Sequence, residues 1–286
     1  MTITTMLGAV ELGGLPRLAV YDEKQGCFRP VSRDVLRVFP EPRDFYTSTP
    51  HSLKLLDTLR ESLEDQCVSL EKPLPPPYRP PNLWGVGRSF RAHAEEMGME
   101  ARIAFFVKST YSIVGHRHPI LVPPGYSKAD YEGEMAVIVG RRLRSASPRE
   151  AGEAVVGYTA VNDVTERRLQ DEMSWSIAKS LDTFGPLGPA VALVEGPGDL
   201  EGLCVETLLN GERVQRGCVS DMVASIPEIL SRLSSIVTLR PGDIVMLGTP
   251  PGVGHARSPP RYLKPGDVVE VRVSGLPGLV NPVASG

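Results

Sequence analysis

The sequence predicts a β-rich α+β protein in two parts: a small N-terminal α/β domain over residues 1–72 and a larger β-rich domain over 82–286, joined by a proline-rich spacer over 73–81. Three observations predict it. The run Pro73-Leu74-Pro75-Pro76-Pro77-Tyr78-Arg79-Pro80-Pro81 has too many fixed φ angles and too few amide donors for a helix or a central strand, so it reads as an extended connection. In the C-terminal third, Asn210-Gly211 stands between alternating segments, a strong hairpin signal. Met135-Ala136-Val137-Ile138-Val139 is continuously apolar, as a strand covered on both faces must be.

Composition bounds the function classes. The 286 residues carry 31 Lys and Arg against 34 Asp and Glu, a net charge of -3, which leaves no basic footprint for nucleic acid. The first eight residues lack the basic lead and apolar core of a secretion signal, and no run approaches about 18 apolar residues, so neither secretion nor a membrane span is expected. Cys27, Cys67, Cys204 and Cys218 show no C-x-x-C spacing, which removes zinc-ribbon and thioredoxin-like readings; a reduced, cytoplasmic compartment is the default.

Taken in order, the N-terminal part offers short alternating segments, Leu18–Tyr21 and Val35–Phe39, and a helix over Ser52–Leu63 with leucines near helical spacing. It offers no catalytic constellation. After the spacer, Asn82–Gly87 reads as a strand ending in glycines, and Ser89 as the cap of a short helix over Phe90–Met97. Gly85-x-Gly87 is a weak nucleotide signal, because position 90 is Phe rather than a third glycine. Ala104–Val107 is a strand candidate running into Lys108. His116-Arg117-His118 lies between Gly115 and Pro119, where turn chemistry favours an exposed loop over a metal site.

Ser147-Pro148-Arg149-Glu150 is a capping box opening a short helix, and Val155–Val161 is a strand delivering Asn162-Asp163 at its end. Val164–Gln170 is helical in character. Gly185-Pro186-Leu187-Gly188-Pro189 reads as a tight turn. Ser225 with Glu228 starts a helix through about Leu233, and Leu239-Arg240-Pro241-Gly242-Asp243 and Leu263-Lys264-Pro265-Gly266-Asp267 are matching turns entering strands.

The residues that carry chemistry cluster around Asp130-Tyr131-Glu132-Gly133-Glu134. Alternation places the three carboxylates on one side at the mouth of a buried strand, where ionised acids need cationic compensation. A hard divalent cation would supply it, and the competing reading is a solvated acidic edge. Asp163 is placed to join Glu132 and Glu134 as a third oxygen ligand. Asp130 is assigned to supporting the strand or to solvent. His93 and Glu96 face each other one helical turn apart, as a carboxylate-oriented general base would, or as an ordinary surface pair. Arg167 and Gln170 share a helix face, Lys179 sits among apolar residues, and Thr249 lies in the glycine-rich loop Leu247–Gly254.

Read together, Asn162-Asp163-Val164-Thr165-Glu166-Arg167, the Asp130–Glu134 stretch, Lys179–Pro186, and Leu239-x-Pro241-Gly242-Asp243 leading to Gly248–Gly254 resemble the fumarylacetoacetate hydrolase family over residues 82 to about 283. The resemblance implies a rolled, mixed β-sheet with short flanking helices, usually in a homodimer, and a divalent metal such as Mg²⁺, with Mn²⁺ or Ca²⁺ as alternatives. It implies Glu132, Glu134 and Asp163 as metal carboxylates, His93 and Glu96 as a water-activating pair on a lid, and Lys179 as the basic group beside the metal. It also implies Arg167, Gln170 and Thr249 as contacts to a small 2-oxo or 2,4-dioxo acid. The expected reaction is hydrolysis of a carbon–carbon bond in a 2,4-dioxo acid. Decarboxylation, isomerisation or tautomerisation, dehydration on the same site, and a non-catalytic metabolite binder are the alternatives. One departure stands out: many members have Asn-Tyr before the lid histidine, and this chain has Ser89-Phe90.

Overall fold

The structure, a computed structural model, describes residues 5–32, 34, 41–48, 59–71, 73–76 and 79–286. The predicted strand Val35–Phe39 and most of the predicted helix Ser52–Leu63 lie outside these residues; 59–61 of the latter are helical. The N-terminal part holds β1 (Met6–Leu12), β2 (Leu15–Asp22), β3 (Cys27–Pro30), α1 (Pro42–Ser48) and β4 (Val68–Ser69). Past the spacer come β5 (Leu83–Gly87), α2 (Arg91–Glu96), β6 (Ala104–Lys108), β7 (Ile113–Val114), β8 (Ile120–Val122) and β9 (Ala129–Asp130). The middle of the chain forms β10 (Gly133–Val139), α3 (Pro148–Gly152), β11 (Val155–Asn162), β12 (Thr165–Glu166), α4 (Arg167–Glu172), α5 (Trp175–Ala178) and β13 (Gly185–Leu193). The C-terminal third holds β14 (Cys204–Leu209), β15 (Glu212–Cys218), α6 (Ile226–Ile236), β16 (Ile244–Met246), β17 (Val268–Val273) and β18 (Leu279–Ser285).

These strands make an 11-stranded sheet in the order β4-β3-β2-β1-β13-β11-β10-β16-β5-β6 with β7 joining β13, and a five-stranded sheet β15-β14-β17-β18-β8. β9 pairs with β12 apart from both. Parallel pairings, β16 with β5, β7 with β13 and β8 with β18, occur among antiparallel ones, so the sheets are mixed as expected. β1 pairs antiparallel with β13, which carries the large sheet from the N-terminal strands into the strands beyond residue 82.

Strand β10 is the axis of this arrangement. Met135, Val137 and Val139 enter one core cluster, while Ala136 and Ile138 enter a second, so the continuous apolar run is buried on both faces. Each large apolar side chain so covered contributes roughly 1.5–3 kcal/mol. Glu134 shares the parity of Ala136 and Ile138. It therefore points to the face where Leu83, Phe106 and Leu187 are packed with Trp175 against them. Gly85 and Gly87 of β5 make that face possible. A Cβ on Gly85 would meet the Phe106 ring at 2.0 Å, and one on Gly87 the Trp175 ring at 2.3 Å. The glycines seat aromatic rings rather than a phosphate.

Local signals held where they were strongest. Asn210 and Gly211 both take left-handed φ, 55° and 82°, in the β14–β15 hairpin. Ser147 with Glu150 and Ser225 with Glu228 form complete capping boxes on α3 and α6. The two Pro-Gly-Asp turns match: Asp243 Oδ2 accepts the Arg240 amide and Asp267 Oδ2 the Lys264 amide, both at 2.9 Å.

Several expectations are corrected. Gly185–Pro189 is not a turn but the start of β13, because β11 and β7 pair with it on either side and bury it. Ser89 does not cap α2: the N-cap is Phe90, without a side-chain bond, and Ser89 Oγ instead donates to the Leu247 carbonyl at 2.5 Å. His116 is in a loop yet buried, its Nδ1 accepting the Val280 amide. Cys27 is paired with Cys67 and Cys204 with Cys218, pairings that the spacing of the cysteines in the sequence does not show. No helix among the described residues is long and apolar enough to cross a membrane.

Candidate active site

Glu132 and Glu134 flank Gly133 at the start of β10, and Asp163 follows β11 immediately. The β10–β11 register sets Gly133 opposite Asn162. That pairing brings the acids together. The Asp163 amide donates to the Glu132 carbonyl at 2.8 Å, and the Glu132 amide donates to Asn162 Oδ1 at 3.0 Å. The three carboxylates each offer an oxygen within 4.8 Å of the others, and their exposures are 5%, 2% and 0%.

Three cations reach this acidic group. Lys179, just after α5, places Nζ 2.7 Å from Glu132 Oε2, 2.6 Å from Asp163 Oδ2 and 2.8 Å from Thr165 Oγ1. Lys108, at the end of β6, donates to Asp163 Oδ1 at 2.8 Å and is itself 1% exposed. Arg167, at the start of α4, lies 2.7 Å from Glu132 Oε1 and bonds Asp130 Oδ2 through Nε and Nη2. Both oxygens of Glu132 and both of Asp163 thus face a cation, whereas Glu134 Oε2 accepts the Gly248 amide, at 2.7 Å.

The acids separate accordingly. Burial pushes Glu132 up, but Lys179, Arg167 and His93 outweigh it and hold the carboxyl at about 2. Burial and the neighbouring charges of Asp163 and Glu132 push Glu134 well above the usual carboxylate range. Burial works to lower Lys179, yet Asp163 and Glu132 leave it raised and charged; for Lys108 burial prevails and lowers it. Three buried carboxylate oxygens within one coordination shell are the donor set of a hard divalent cation. Burial and like charges both raise Glu134, and a cation placed among the three acids would relieve that repulsion.

His93 and Glu96 stand over this group on α2. Glu96 Oε1 lies 2.8 Å from His93 Nδ1, and both Glu96 oxygens accept the Gly252 amide, at 3.1 and 2.9 Å. The helix is thereby tied to the glycine-rich loop. His93 is 8% exposed and close enough to Glu132 to act on it electrostatically. The Ser89-Phe90 departure forms the seat of this helix. The Ser89 carbonyl accepts the Val223 amide, and the Phe90 ring occupies the space a Cβ on Gly217 would need.

The structure brings every sequence-assigned residue to one region, though not always freely. Gln170 and Arg167 share a face and are bonded to each other at 2.9 Å, and the Arg167 guanidinium is otherwise spent on Asp130 and Glu132. Asp130 is fully buried and supports: it holds Arg167 and accepts the Gly254 and His255 amides, so the solvated alternative falls. Thr249 is buried and bonds the Gly133 carbonyl. Sequence reasoning missed Lys108 and Gln215. A lysine closing an apolar β-strand was a readable signal for the first; the second lay in an unremarkable hairpin strand.

A family model described as fumarylacetoacetate (FAA) hydrolase C-terminal matches residues 82–284, directly after the proline-rich run. The chain is 40% identical over 222 residues to the oxaloacetate tautomerase YisK of Bacillus subtilis, a match covering 76% of this chain and 73% of that one. A fumarylacetoacetate hydrolase from psychrophilic Exiguobacterium antarcticum superposes with a TM-score of 0.82 at 32% identity, covering 99% of this chain and 100% of the other. A probable 2-hydroxyhepta-2,4-diene-1,7-dioate isomerase from Mycobacterium abscessus does so with a TM-score of 0.80 at 28% identity, covering 98% of each.

Proposed function

The chain belongs to the fumarylacetoacetate hydrolase family, and from that premise we propose that it is a divalent-metal-dependent enzyme interconverting the keto and enol forms of oxaloacetate or a closely related 2-oxo acid. The observation that carries this reading is the gathering of Glu132, Glu134 and Asp163 within 4.8 Å, with Lys179 Nζ between two of them. Those three residues would hold Mg²⁺, or Mn²⁺ or Ca²⁺ in its place. When bound, the cation supplies Lewis-acid stabilisation of the negative charge a 2-oxo acid develops on enolisation.

Tautomerisation moves one proton between C3 of the substrate and its 2-oxygen, with no atom gained or lost. His93 is assigned the C3 end. Its Nδ1 is engaged by Glu96, which leaves Nε2 to take the proton and return it. Lys179 is assigned the 2-oxygen: its ammonium, whose three N–H groups otherwise go to Glu132, Asp163 and Thr165, turns one of them to that oxygen and gives up its proton as the enol forms, and the proton taken by His93 returns to Lys179 through solvent, so the enzyme ends the turnover as it began. Gln170 and Thr249 orient the acid, and Arg167 adds positive charge while holding Glu132.

Hydrolysis of a carbon–carbon bond in a 2,4-dioxo acid is the second reading, and the His93–Glu96 pair favours it. The same Nε2 would take a proton from water, whose oxygen attacks the 4-carbonyl; the C3–C4 bond then breaks, leaving the enolate of a pyruvate-type product. The named relatives weigh toward tautomerisation and isomerisation. A homodimer is proposed from the family, supported by exposed Val107, Tyr111, Met173 and Ile177 around β6, α4 and α5. The test is a panel assay with Mg²⁺: loss of enol-oxaloacetate, release of CO₂, and release of pyruvate from a 2,4-dioxo acid. Dominant enol loss supports the first reading and dominant pyruvate release the second.

A further inference from the structure

Gln215 of β15 is 2% exposed, and its side-chain amide makes three bonds. Oε1 accepts the Gly133 amide at 3.0 Å, and Nε2 donates to the Pro250 carbonyl at 2.8 Å and to Thr249 Oγ1 at 2.7 Å. Thr249 Oγ1 in turn lies 3.0 Å from the Gly133 carbonyl. The proton count follows from these partners. A carbonyl only accepts, so the single hydroxyl proton of Thr249 goes to Gly133. The Gly133 amide requires the oxygen end of Gln215 and the Pro250 carbonyl its nitrogen end, so two independent partners fix the amide's orientation. The bond from Nε2 therefore enters Thr249 Oγ1 as to an acceptor.

The result is a closed ring from the Gly133 amide through Gln215 and Thr249 back to the Gly133 carbonyl. Gly133 is the residue between Glu132 and Glu134, and the next loop residue before Thr249, Gly248, donates to Glu134. One buried amide thus fastens the glycine-rich loop to the strand that carries both glutamates.

We infer that Gln215 is a positioning residue acting through Thr249: it holds the loop in register with the glutamates and commits the Thr249 hydroxyl proton, so the hydroxyl meets a ligand as an acceptor. This rests on reading the site as one for 2-oxo acids. A buried hydrogen-bond partner left unsatisfied weakens an interaction by about 5- to 100-fold.

The test is a double-mutant cycle on the full-length, Mg²⁺-loaded protein with Gln215→Leu, Thr249→Val and both together, reading KM and kcat for enol-oxaloacetate and the affinity for oxalate by calorimetry. Gln215→Glu serves as the variant of matched shape, since it keeps an acceptor for Gly133 and loses the donors to Thr249 and Pro250. We expect each single variant to raise KM about tenfold or more with a smaller change in kcat, and the double to be no worse than the poorer single. Additive losses, or an unchanged KM in both Gln215 variants, would overturn the inference. Oxalate separates the two claims. A wild type that binds oxalate without turning over oxaloacetate, with the cycle intact, removes the tautomerase reading and keeps the role of Gln215; a wild type that does neither overturns both.

Discussion

Lys179 Nζ lies 2.6 Å from Asp163 Oδ2, inside the same group of carboxylates that would hold a divalent cation. The ammonium and the metal therefore draw on the same oxygens, and loading the site has to loosen this contact. Replacing Lys179 by Met should lower the thermal midpoint of the metal-free protein, because breaking a buried ion pair costs about 3–5 kcal/mol. Added Mg²⁺ should then raise the midpoint more in the variant than in the wild type, while turnover is lost. Calorimetric scans with and without Mg²⁺ check this; an equal or smaller rise in the variant speaks against competition.

His93→Ala removes the only imidazole nitrogen aimed from the α2 helix with a carboxylate behind it, and leaves Glu132, Glu134 and Asp163 in place. The expected loss in kcat is on the order of 10²- to 10⁴-fold. Mg²⁺ affinity should stay within a few-fold of wild type. If metal binding falls together with turnover, His93 is part of the scaffold rather than the proton carrier.

The acids give a pH dependence of defined sign. Glu134 is raised in the folded protein, so its contribution to stability is present below about pH 4.5, the ordinary value, and is lost as pH rises through its folded value. Glu132 is held at about 2, so its contribution is present above the ordinary value and lost as pH falls toward 2. A cation that binds Glu134 must displace its proton. Mg²⁺ affinity should therefore increase with pH, by up to tenfold per unit where Glu134 titrates, with up to one proton released per ion. Titration calorimetry in two buffers of different ionisation enthalpy measures that proton; none released would contradict the raised Glu134.

Lys108 is locked between Asp163 Oδ1 and the Val164 carbonyl with no side-chain exposure. Lys108→Met should destabilise the metal-free protein by about 3 kcal/mol, since Asp163 loses one of two compensating cations. Denaturant melts would show it, and a loss below about 1 kcal/mol would mean that Lys179 alone suffices.

The legible parts of this molecule were those fixed by local chemistry. The unbroken apolar run of β10 required two covered faces, Asn210-Gly211 required a tight hairpin, and the two serine–glutamate boxes required helix starts. The acids Glu132, Glu134 and Asp163 could be singled out as candidates because each stands at the end of an apolar run that reads as a strand. Gly185–Pro189 was misread because its composition is that of a turn, while flanking strands override it. Ser89 was misread for a similar reason: a hydroxyl before a helix suggests a cap, but Leu247, distant in sequence, takes the bond. Gln215 and the two cysteine pairs depend on contacts between segments far apart, which no local pattern records; Lys108 had a local signal in its place at the end of an apolar strand, but its partner Asp163 is distant in sequence.

The most direct test of the central claim is the rate at which enol-oxaloacetate disappears, followed by its ultraviolet absorbance over a range of Mg²⁺ in the wild type and in Glu132→Gln. Saturable, Mg²⁺-dependent acceleration is expected in the wild type, abolished by chelator and lost in the variant. Acceleration that persists in Glu132→Gln, or that ignores Mg²⁺, would contradict it.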